Sequence, residues 1–290
     1  MNQDRDMFDE FFAPQGFDDD NEFMPMISMD DEDESYEIDS FPTTLPILAL
    51  KNTVLFPGIV IPITVGRDKS IKAINKAYQQ SKIIGVLSQK DPNEEDPGKE
   101  DMYRVGTLAK ILKLLKMPDG TTTAILQGKT RFALQQLTQE NPYLEGQINI
   151  LEYHKVKNNL EFEAQISSVM DLAKEIIELS PHIPSEAMVM LKNINNPSFL
   201  LNFIASNLGT KINIKQKILE INDLSEKANL ILQHMNSELQ LLELKDQIDT
   251  KVRGDIEKQQ RDYFLNQQLK TIQEELGQNP QEEEINALLE

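Results

Sequence analysis

Alternating and continuous apolar runs dominate residues 43–153 of this 290-residue chain. Apolar and β-branched runs of this length, bounded by turn residues, predict strands. One helix should interrupt them after Gly66, because Ile71, Ile74 and Tyr78 recur at helical spacing. The pattern predicts a small β-rich barrel or sandwich packed on that helix. The predicted strands are 45–50, 59–65, 82–88, 103–116, 121–128, 131–138 and 143–153.

The most apolar stretch, 45–65, contains residues that interrupt regular structure. Proline cannot donate to a strand ladder, so Pro62 should lie at a sheet edge or a bulge. Pro57 and Gly58 should form a corner, in which Gly58 takes a position that a β-carbon would hinder. We therefore expect two buried strands joined by a rigid turn, which is a scaffold and not a chemical site.

Helical periodicity replaces alternation after residue 157. The apolar spacing predicts helices at 160–180, 185–193, 198–207 and 214–220, followed by a very long helix from residue 223. The predicted fold class is therefore α+β, with a barrel-like lobe, a helical bundle and a long C-terminal helix. The corresponding segments are an acidic tail (1–42), the β-rich lobe (43–156), the bundle (157–222), the long helix (223–277) and the start of a connection (278–290).

The long helix is predicted to change character along its length. Residues 250–262 are polar nearly all round, which is typical of a helix that bridges domains through solvent. Gly254 in this part should be a flexing point, because glycine weakens a helix interior by about 1 kcal/mol. Further on, apolar residues return at coiled-coil spacing, which indicates either packing against a further domain or self-association. They are Leu265, Leu269, Ile272 and Leu276.

The net charge of −19 is concentrated at the N-terminus, where residues 1–39 hold 15 of the 48 acidic residues and one arginine. Such a segment buries too little apolar surface to offset its ordering entropy, so we expect residues 1–42 to be disordered. A short docking motif built on Phe8, Phe11, Phe12 and Phe17 is the alternative. The rest of the chain is mildly acidic, which makes binding of nucleic acid unlikely.

Several kinds of chemistry find no support in the sequence. There are no cysteines, and no run is apolar enough for a membrane span, so we expect a cytoplasmic soluble protein. The run Gly128-Lys129-Thr130 lacks the first glycine of a phosphate-binding loop and lies among strands. The three histidines, at 154, 182 and 234, are far apart, and Glu282–Glu284 lie in a solvated segment. We therefore predict no catalytic, cofactor or metal site within the chain.

Three segments together resemble one family. LPILALKNTVLFPGIVIPITVGRDKSIKAI, RVGTLAKILKLLKMPDGTTTAILQGKTRFAL and RDYFLNQQLKTIQEELG occur in this order, and the likeness covers about residues 43–290. They resemble the N-terminal domain of Lon, the ATP-dependent protease. In that family an AAA+ ATPase module and a protease domain with a Ser–Lys dyad follow, and we expect both to lie outside this chain.

The resemblance implies a role in recognising protein substrates. The parent would be a homohexameric, ATP- and Mg-dependent serine protease that degrades misfolded and selected regulatory proteins, and this region would bind substrates and support assembly. The present chain alone should be a monomer or associate weakly. A stand-alone binding module of the same domain type, without a protease, is the alternative; nucleic-acid binding is a third hypothesis that the acidic charge makes unlikely.

The expected substrate contacts are polar residues at the start of the helix after the signature. They are Arg67, Asp68, Lys69 and Lys72. An apolar alternative lies in the preceding turn, although residues of this type are more often part of a core. It consists of Leu55, Phe56 and Ile59.

Overall fold

The computed structural model describes residues 26–27, 42–117, 121–153, 160–180, 183 and 186–275. Seven strands belong to one sheet. They are β1 (Met26–Ile27), β2 (Thr44–Leu50), β3 (Ile59–Val65), β4 (Ile83–Ser88), β5 (Val105–Lys116), β6 (Thr122–Gln139) and β7 (Glu145–Leu151). Residues 118–120, which separate two of the predicted strands, lie outside the described part, as does the predicted acidic tail except for residues 26, 27 and 42. Strand β1, within the acidic segment, was not predicted.

Pairings between strands close the sheet into a barrel. The order β6–β5–β4–β2–β7 returns to β6, because β7 pairs with both β2 and β6. The pair β2–β4 is parallel and the others in this ring are antiparallel. The first half of β6 also pairs with β3. The predicted barrel-like lobe and the α+β class are confirmed.

Strand β6 corrects one expectation. The sequence predicts two strands, 121–128 and 131–138, whereas the structure has one strand of 18 residues. Register shifts in its ladders with β5 and β7 explain the difference, because irregular pairing lets a single strand bend around the barrel without ending. At these irregularities the side chains change the face of the sheet on which they lie. In the sequence, this change in the apolar alternation resembles a break between two strands.

The barrel interior is a continuous apolar cluster. Side chains from all five strands of the closed ring contribute to it, together with two residues from connections. Each buried Leu, Ile or Phe contributes about 1.5–3 kcal/mol relative to an exposed one. The cluster consists of Leu45, Ile47, Ala49, Leu87, Met102, Leu108, Phe132, Leu134, Leu144 and Ile148.

The corner between β2 and β3 has the predicted geometry. Gly58 has a φ of +83°, and an added β-carbon would lie 2.4 Å from Cδ2 of Phe199. The amide of Gly58 donates to the Gly128 carbonyl at 2.9 Å, which ties the turn to β6. Pro62 lies in β3, and among the described residues the outer edge of this strand is paired by the two residues of β1 alone. An edge position for Pro62 is therefore confirmed.

Six α-helices accompany the barrel in the described part. They are α1 (Asp68–Gln79), α2 (Leu160–Leu179), α3 (Glu186–Lys192), α4 (Pro197–Asn207), α5 (Ile212–Glu220) and α6 (Leu224–Glu275). The Asn196 side chain caps α4 by accepting from the amides of Ser198 and Phe199, and Pro197 occupies the first turn, where its missing N–H costs nothing. Asp223 accepts in the same way from Ser225 and Glu226 at the start of α6.

The chain divides into two compact units. The first comprises residues up to Ile166 together with Asn193–Ile231, and the second comprises Ser167–Lys192 together with the chain from Leu232. The buried apolar residues of the second unit come from α2, α3 and the early part of α6; they are Val169, Ala173, Ile176, Ala187, Leu191, Met235 and Leu239. This division groups residues 193–222 with the barrel. The segment boundaries drawn from the sequence stay predictions.

Candidate functional site

Helix α1 begins directly after β3, at the rim of the barrel. Strand β3 ends at Val65, and Arg67 precedes the helix with extended backbone and no side-chain cap. Asp68 is exposed in the first turn, where a carboxylate suits the positive end of a helix. Ala73, Ile74 and Ala77 are buried on the opposite face. The buried face fixes α1 on β2 and β4, so the polar residues at its start have defined positions.

Two of the four predicted contact residues also hold the polar connection 91–101. Arg67 Nη2 donates to Gln89 Oε1 at 2.5 Å, and the buried Gln89 amide donates to the carbonyl of Glu94 at 3.0 Å. Lys69 Nζ donates to both carboxylate oxygens of Asp96, at 2.6 and 2.7 Å. Arg67, Asp68, Lys69 and Lys72 thus form a surface, here called the α1 patch, that is backed by this loop.

Lys72 differs from its neighbours in the patch. It is exposed, and within the part of the chain that the structure describes its ammonium forms no ion pair. The Arg67 partner, Gln89, is neutral, so it leaves the guanidinium charge uncompensated. The patch therefore offers the cations of Arg67 and Lys72, the paired cation of Lys69 and the exposed carboxylate of Asp68.

The apolar alternative lies inside the protein. Leu55, Phe56 and Ile59 are 2%, 0% and 0% exposed, respectively. The Leu55 carbonyl accepts a hydrogen bond of 2.6 Å from the hydroxyl of the buried Thr107, which holds this turn against β5. These three side chains serve the core in this conformation and offer no surface to a partner.

A buried cationic cluster was not predicted. Arg131 of β6 is fully buried, and its guanidinium donates to the carbonyls of Leu219 at 2.8 Å and Ile221 at 2.9 Å. It also donates to the Glu152 carbonyl and the Asn222 side chain. The Tyr153 ring lies 3.8 Å from the guanidinium carbon. Arg131 thus satisfies the carbonyls at the C-terminal end of α5, although its own Nε finds no partner among the residues that the structure describes.

Lys227 is the second cation of this cluster. Its ammonium donates to the Tyr153 hydroxyl at 3.0 Å and to the Asn202 side-chain oxygen. Asn202 in turn donates to the Pro57 carbonyl at 3.1 Å, which links the first turn of α6, α4 and the β2–β3 corner. Burial, and secondarily the charge of Arg131, hold the pKa of Lys227 well below its usual value. Burial raises the pKa of Tyr153.

This cluster joins elements of the first unit through buried contacts. Arg131 and Lys227 are both 0% exposed, so neither side chain reaches solvent. Lys227 carries a signal that the sequence could have supplied, because it shares a helical face with Leu224 and Ile231. A lysine on an apolar face either reaches out to water or is buried with polar partners. Arg131 has no comparable signal in β6.

The sequence predicted no phosphate-binding loop and no catalytic or metal site, and the described residues can be compared with this prediction. Gly128-Lys129-Thr130, which was predicted to lie between two strands, lies inside β6, and strand β7 follows β6 in the chain. Of the histidines only His234 is described; it is half-buried on α6, while His154, His182 and Glu282–Glu284 lie outside the described residues. No group of three potential metal ligands occurs in the described ranges. None of the helices described is long and apolar enough to cross a membrane.

Comparison with known proteins gives a consistent family. Residues 44–237 match a family model described as the ATP-dependent protease La (LON) substrate-binding domain. The chain is 51% identical over 275 residues to a Lon protease of Flavobacterium johnsoniae, covering 94% of this chain and 34% of that protein. It is 42% identical over 270 residues to a Lon protease of Cytophaga hutchinsonii, covering 93% of this chain and 33% of that protein.

A solved structure supports the fold. The N-terminal domain of a Mycobacterium avium complex Lon protease aligns with a TM-score of 0.54 at 21% identity, covering 67% of this chain and 98% of that domain. At this identity the likeness concerns the fold alone. The chain spans about a third of the length of the curated relatives that it matches.

Proposed function

Because the chain belongs to the Lon substrate-binding domain family, we propose that it is the substrate-binding region of an ATP-dependent Lon protease. The match over residues 44–237, two thirds of the chain, is the observation that carries this proposal. The whole protein would be a cytoplasmic, homohexameric serine protease of the AAA+ type that uses ATP and Mg to unfold and degrade misfolded and selected regulatory proteins.

In this proposal the region itself contributes binding and no bond cleavage. Its polypeptide partners, here called clients, would be held by surface contacts that are weak one at a time. Repetition of the same surface around a ring raises the effective concentration for a client that touches several copies, so the overall binding is stronger than any single contact. The ATPase and protease parts would then supply the force and the chemistry.

The α1 patch is the proposed client contact. A cationic surface beside a sheet edge fits an extended polypeptide, because a strand can add to the edge, here by displacing the two paired residues of β1, while charges select its side chains. The patch has this combination: Arg67 and Lys72 are uncompensated, and β3 ends two residues before Arg67. The buried alternative around Phe56 offers no such surface.

Charge reversal tests the patch. In the full-length protein, Lys69→Glu combined with Lys72→Glu should change the degradation rate of some members of a substrate panel, because the sign of the patch is inverted while α1 keeps its buried face. Degradation would be followed by gel densitometry at fixed ATP. Lys116→Glu combined with Lys251→Glu, at two exposed positions with the same change in charge, is the matched control.

A second variant separates client contact from loop displacement. Asp96→Asn removes the ion pair of Lys69 without altering α1 itself. If Asp96→Asn alone reproduces the effect of the double variant, the loop and not the patch determines degradation. Unchanged degradation of every substrate by the double variant removes the patch from the proposal. Binding of reduced, carboxymethylated lactalbumin to the 290-residue chain, followed by fluorescence anisotropy, tests client binding directly.

A further inference from the structure

The outer edge of β3 is occupied by the chain's own N-terminal segment. Strand β3 pairs with β6 on one side through Val60–Val65. On its other side, Met26 of β1 pairs with Val60 and Ile27 with Ile59, in antiparallel orientation. An open strand edge accepts another extended chain through backbone hydrogen bonds. A segment from the most acidic part of the protein has therefore taken the position in which a client strand would add.

The register of β1 with β3 gives the direction in which the chain upstream of Met26 would run along β3. In an antiparallel ladder, each step upstream of Met26 moves the facing position one step towards the C-terminal end of β3. Continued in this register, Glu22 would face Thr64, and the run Asp18–Asp20 would reach the start of α1. The cations of Arg67 and Lys72 are located there.

Charge must supply most of the attraction beyond β1. Pro62 has no backbone N–H, so the ladder cannot continue unbroken towards Val65. Asp18, Asp19 and Asp20 carry the charge opposite to that of the α1 patch, in which Arg67 donates to the neutral Gln89 amide and Lys72 is exposed. At 0.1 M, salt largely screens the interaction between exposed charges that are more than about 10 Å apart.

We propose that residues 18–27 of this chain bind along the outer edge of β3, with Asp18–Asp20 at the α1 patch, and compete there with client polypeptides. The competition rests on the proposed function, whereas the binding of the segment does not. The acidic segment is in this sense a built-in occupant that a client must displace. Because its attraction is largely electrostatic, raising the salt concentration should release it.

The absence of cysteine from the sequence allows a direct crosslinking test. Glu22→Cys with Thr64→Cys places thiols at facing positions of the register. Glu10→Cys with Thr64→Cys is the matched control, and its longer loop alone slows closure by less than about twofold. Disulfide formation in dilute protein, followed on non-reducing gels, should be at least tenfold faster for the 22–64 pair.

Higher salt and removal of the three aspartate charges test whether the binding is electrostatic. The rate for the 22–64 pair should fall towards that of the control in 0.5 M NaCl, or when Asp18, Asp19 and Asp20 are all replaced by asparagine. Equal rates for the two pairs in low salt would overturn the proposed binding. Disulfide-linked dimers in place of the intramolecular product would also overturn it, because the segment would then belong to a second copy.

Client binding distinguishes failure of this inference from failure of the proposed function. The oxidised 22–64 protein should bind carboxymethylated lactalbumin several-fold more weakly than its reduced form, and the Asp-to-Asn triple variant should bind several-fold more tightly than the unaltered chain. If every form binds the client equally, competition is refuted. If no form binds it while the 22–64 disulfide still forms rapidly, the proposed function fails and the segment's binding stands.

Discussion

At the scale of single residues, Lys227 shows how the first unit accommodates a cation without a carboxylate. Its ammonium has the Tyr153 hydroxyl and the Asn202 oxygen as acceptors, and Arg131 is the nearest charged group of the cluster. Burial of an ammonium without an anionic partner favours its neutral form. The same interactions fix the start of α6 against α4 and the β2–β3 corner, so stability of this unit is linked to protonation of one lysine.

Lys227 should make the stability of the protein depend on pH. Its pKa is lower in the folded than in the unfolded protein, so the unfolded state binds more protons between the two values. The free energy of unfolding should therefore rise as pH increases through this window, by up to about 1.4 kcal/mol per pH unit. Lys227→Met should flatten the rise. Urea denaturation at pH values from 7 to 9.5 measures the free energy of unfolding below the pH range in which Tyr153 ionises.

An exposed lysine supplies the control for this measurement. Lys251→Met removes a solvated ammonium on α6 and should leave the pH dependence unchanged. A Lys227→Met protein whose unfolding free energy follows the same pH profile as the unaltered chain would show that Lys227 is already charged in the folded state and that its burial has been compensated in another way.

At the scale of elements, α6 continues through Gly254 without interruption. A β-carbon at this position would meet nothing within 4 Å, so alanine fits. Gly254→Ala should slow backbone amide exchange in residues 250–258 by up to about fivefold, because glycine costs a helix interior about 1 kcal/mol. Hydrogen exchange read by mass spectrometry is the measurement.

Gly66 gives the corresponding control for α6. It also has open space around the position of a β-carbon, but it precedes α1 and is not helical. Gly66→Ala should leave exchange in α6 unaltered. Unchanged exchange in Gly254→Ala would mean that this part of the helix does not open at Gly254, and the expected flexing point would be wrong.

Secondary structure was predictable where local pattern determines it. The bounds of β2 and β3 follow from apolar runs that end before Lys51 and Gly66, and α1 follows from its buried spacing. The sequence predicted two strands in place of β6, because the apolar alternation changes where the ladders of β6 shift register. Strand β1 could not be found, since two residues carry no period and their partner lies more than thirty positions away.

The position of the α1 patch could be predicted from the sequence, but the contacts of its residues could not. Gly66 and the apolar spacing after it locate the α1 patch. The ion pair between Lys69 and Asp96 joins residues 27 positions apart, and no local pattern selects that partner. The contacts of the buried cluster are harder still to predict from the sequence, because Arg131 donates to carbonyls about ninety residues further along the chain. Contacts of this kind depend on the fold as a whole.

At the scale of the whole molecule, the apolar residues on the later part of α6 determine how the chain should associate. Leu265, Leu269 and Ile272 are each more than half exposed. A stable interface needs about 1,000 Å² or more of buried surface, which a seam of this length does not supply. We therefore expect a monomer at low micromolar concentration, with weak association through residues 262–276 as concentration rises. Multi-angle light scattering measures both.

Matched variants assign any association to this seam. Leu265→Lys with Leu269→Lys should abolish the rise in apparent mass at high concentration, because two ammonium groups would have to be buried in the contact. Asn266→Lys with Gln268→Lys adds the same charge within the same two turns and serves as control, so association should persist. A stable hexamer at low micromolar concentration would contradict the expectation, and it would place the contacts that assemble the ring in this chain and not in the two thirds of its relatives that it does not cover.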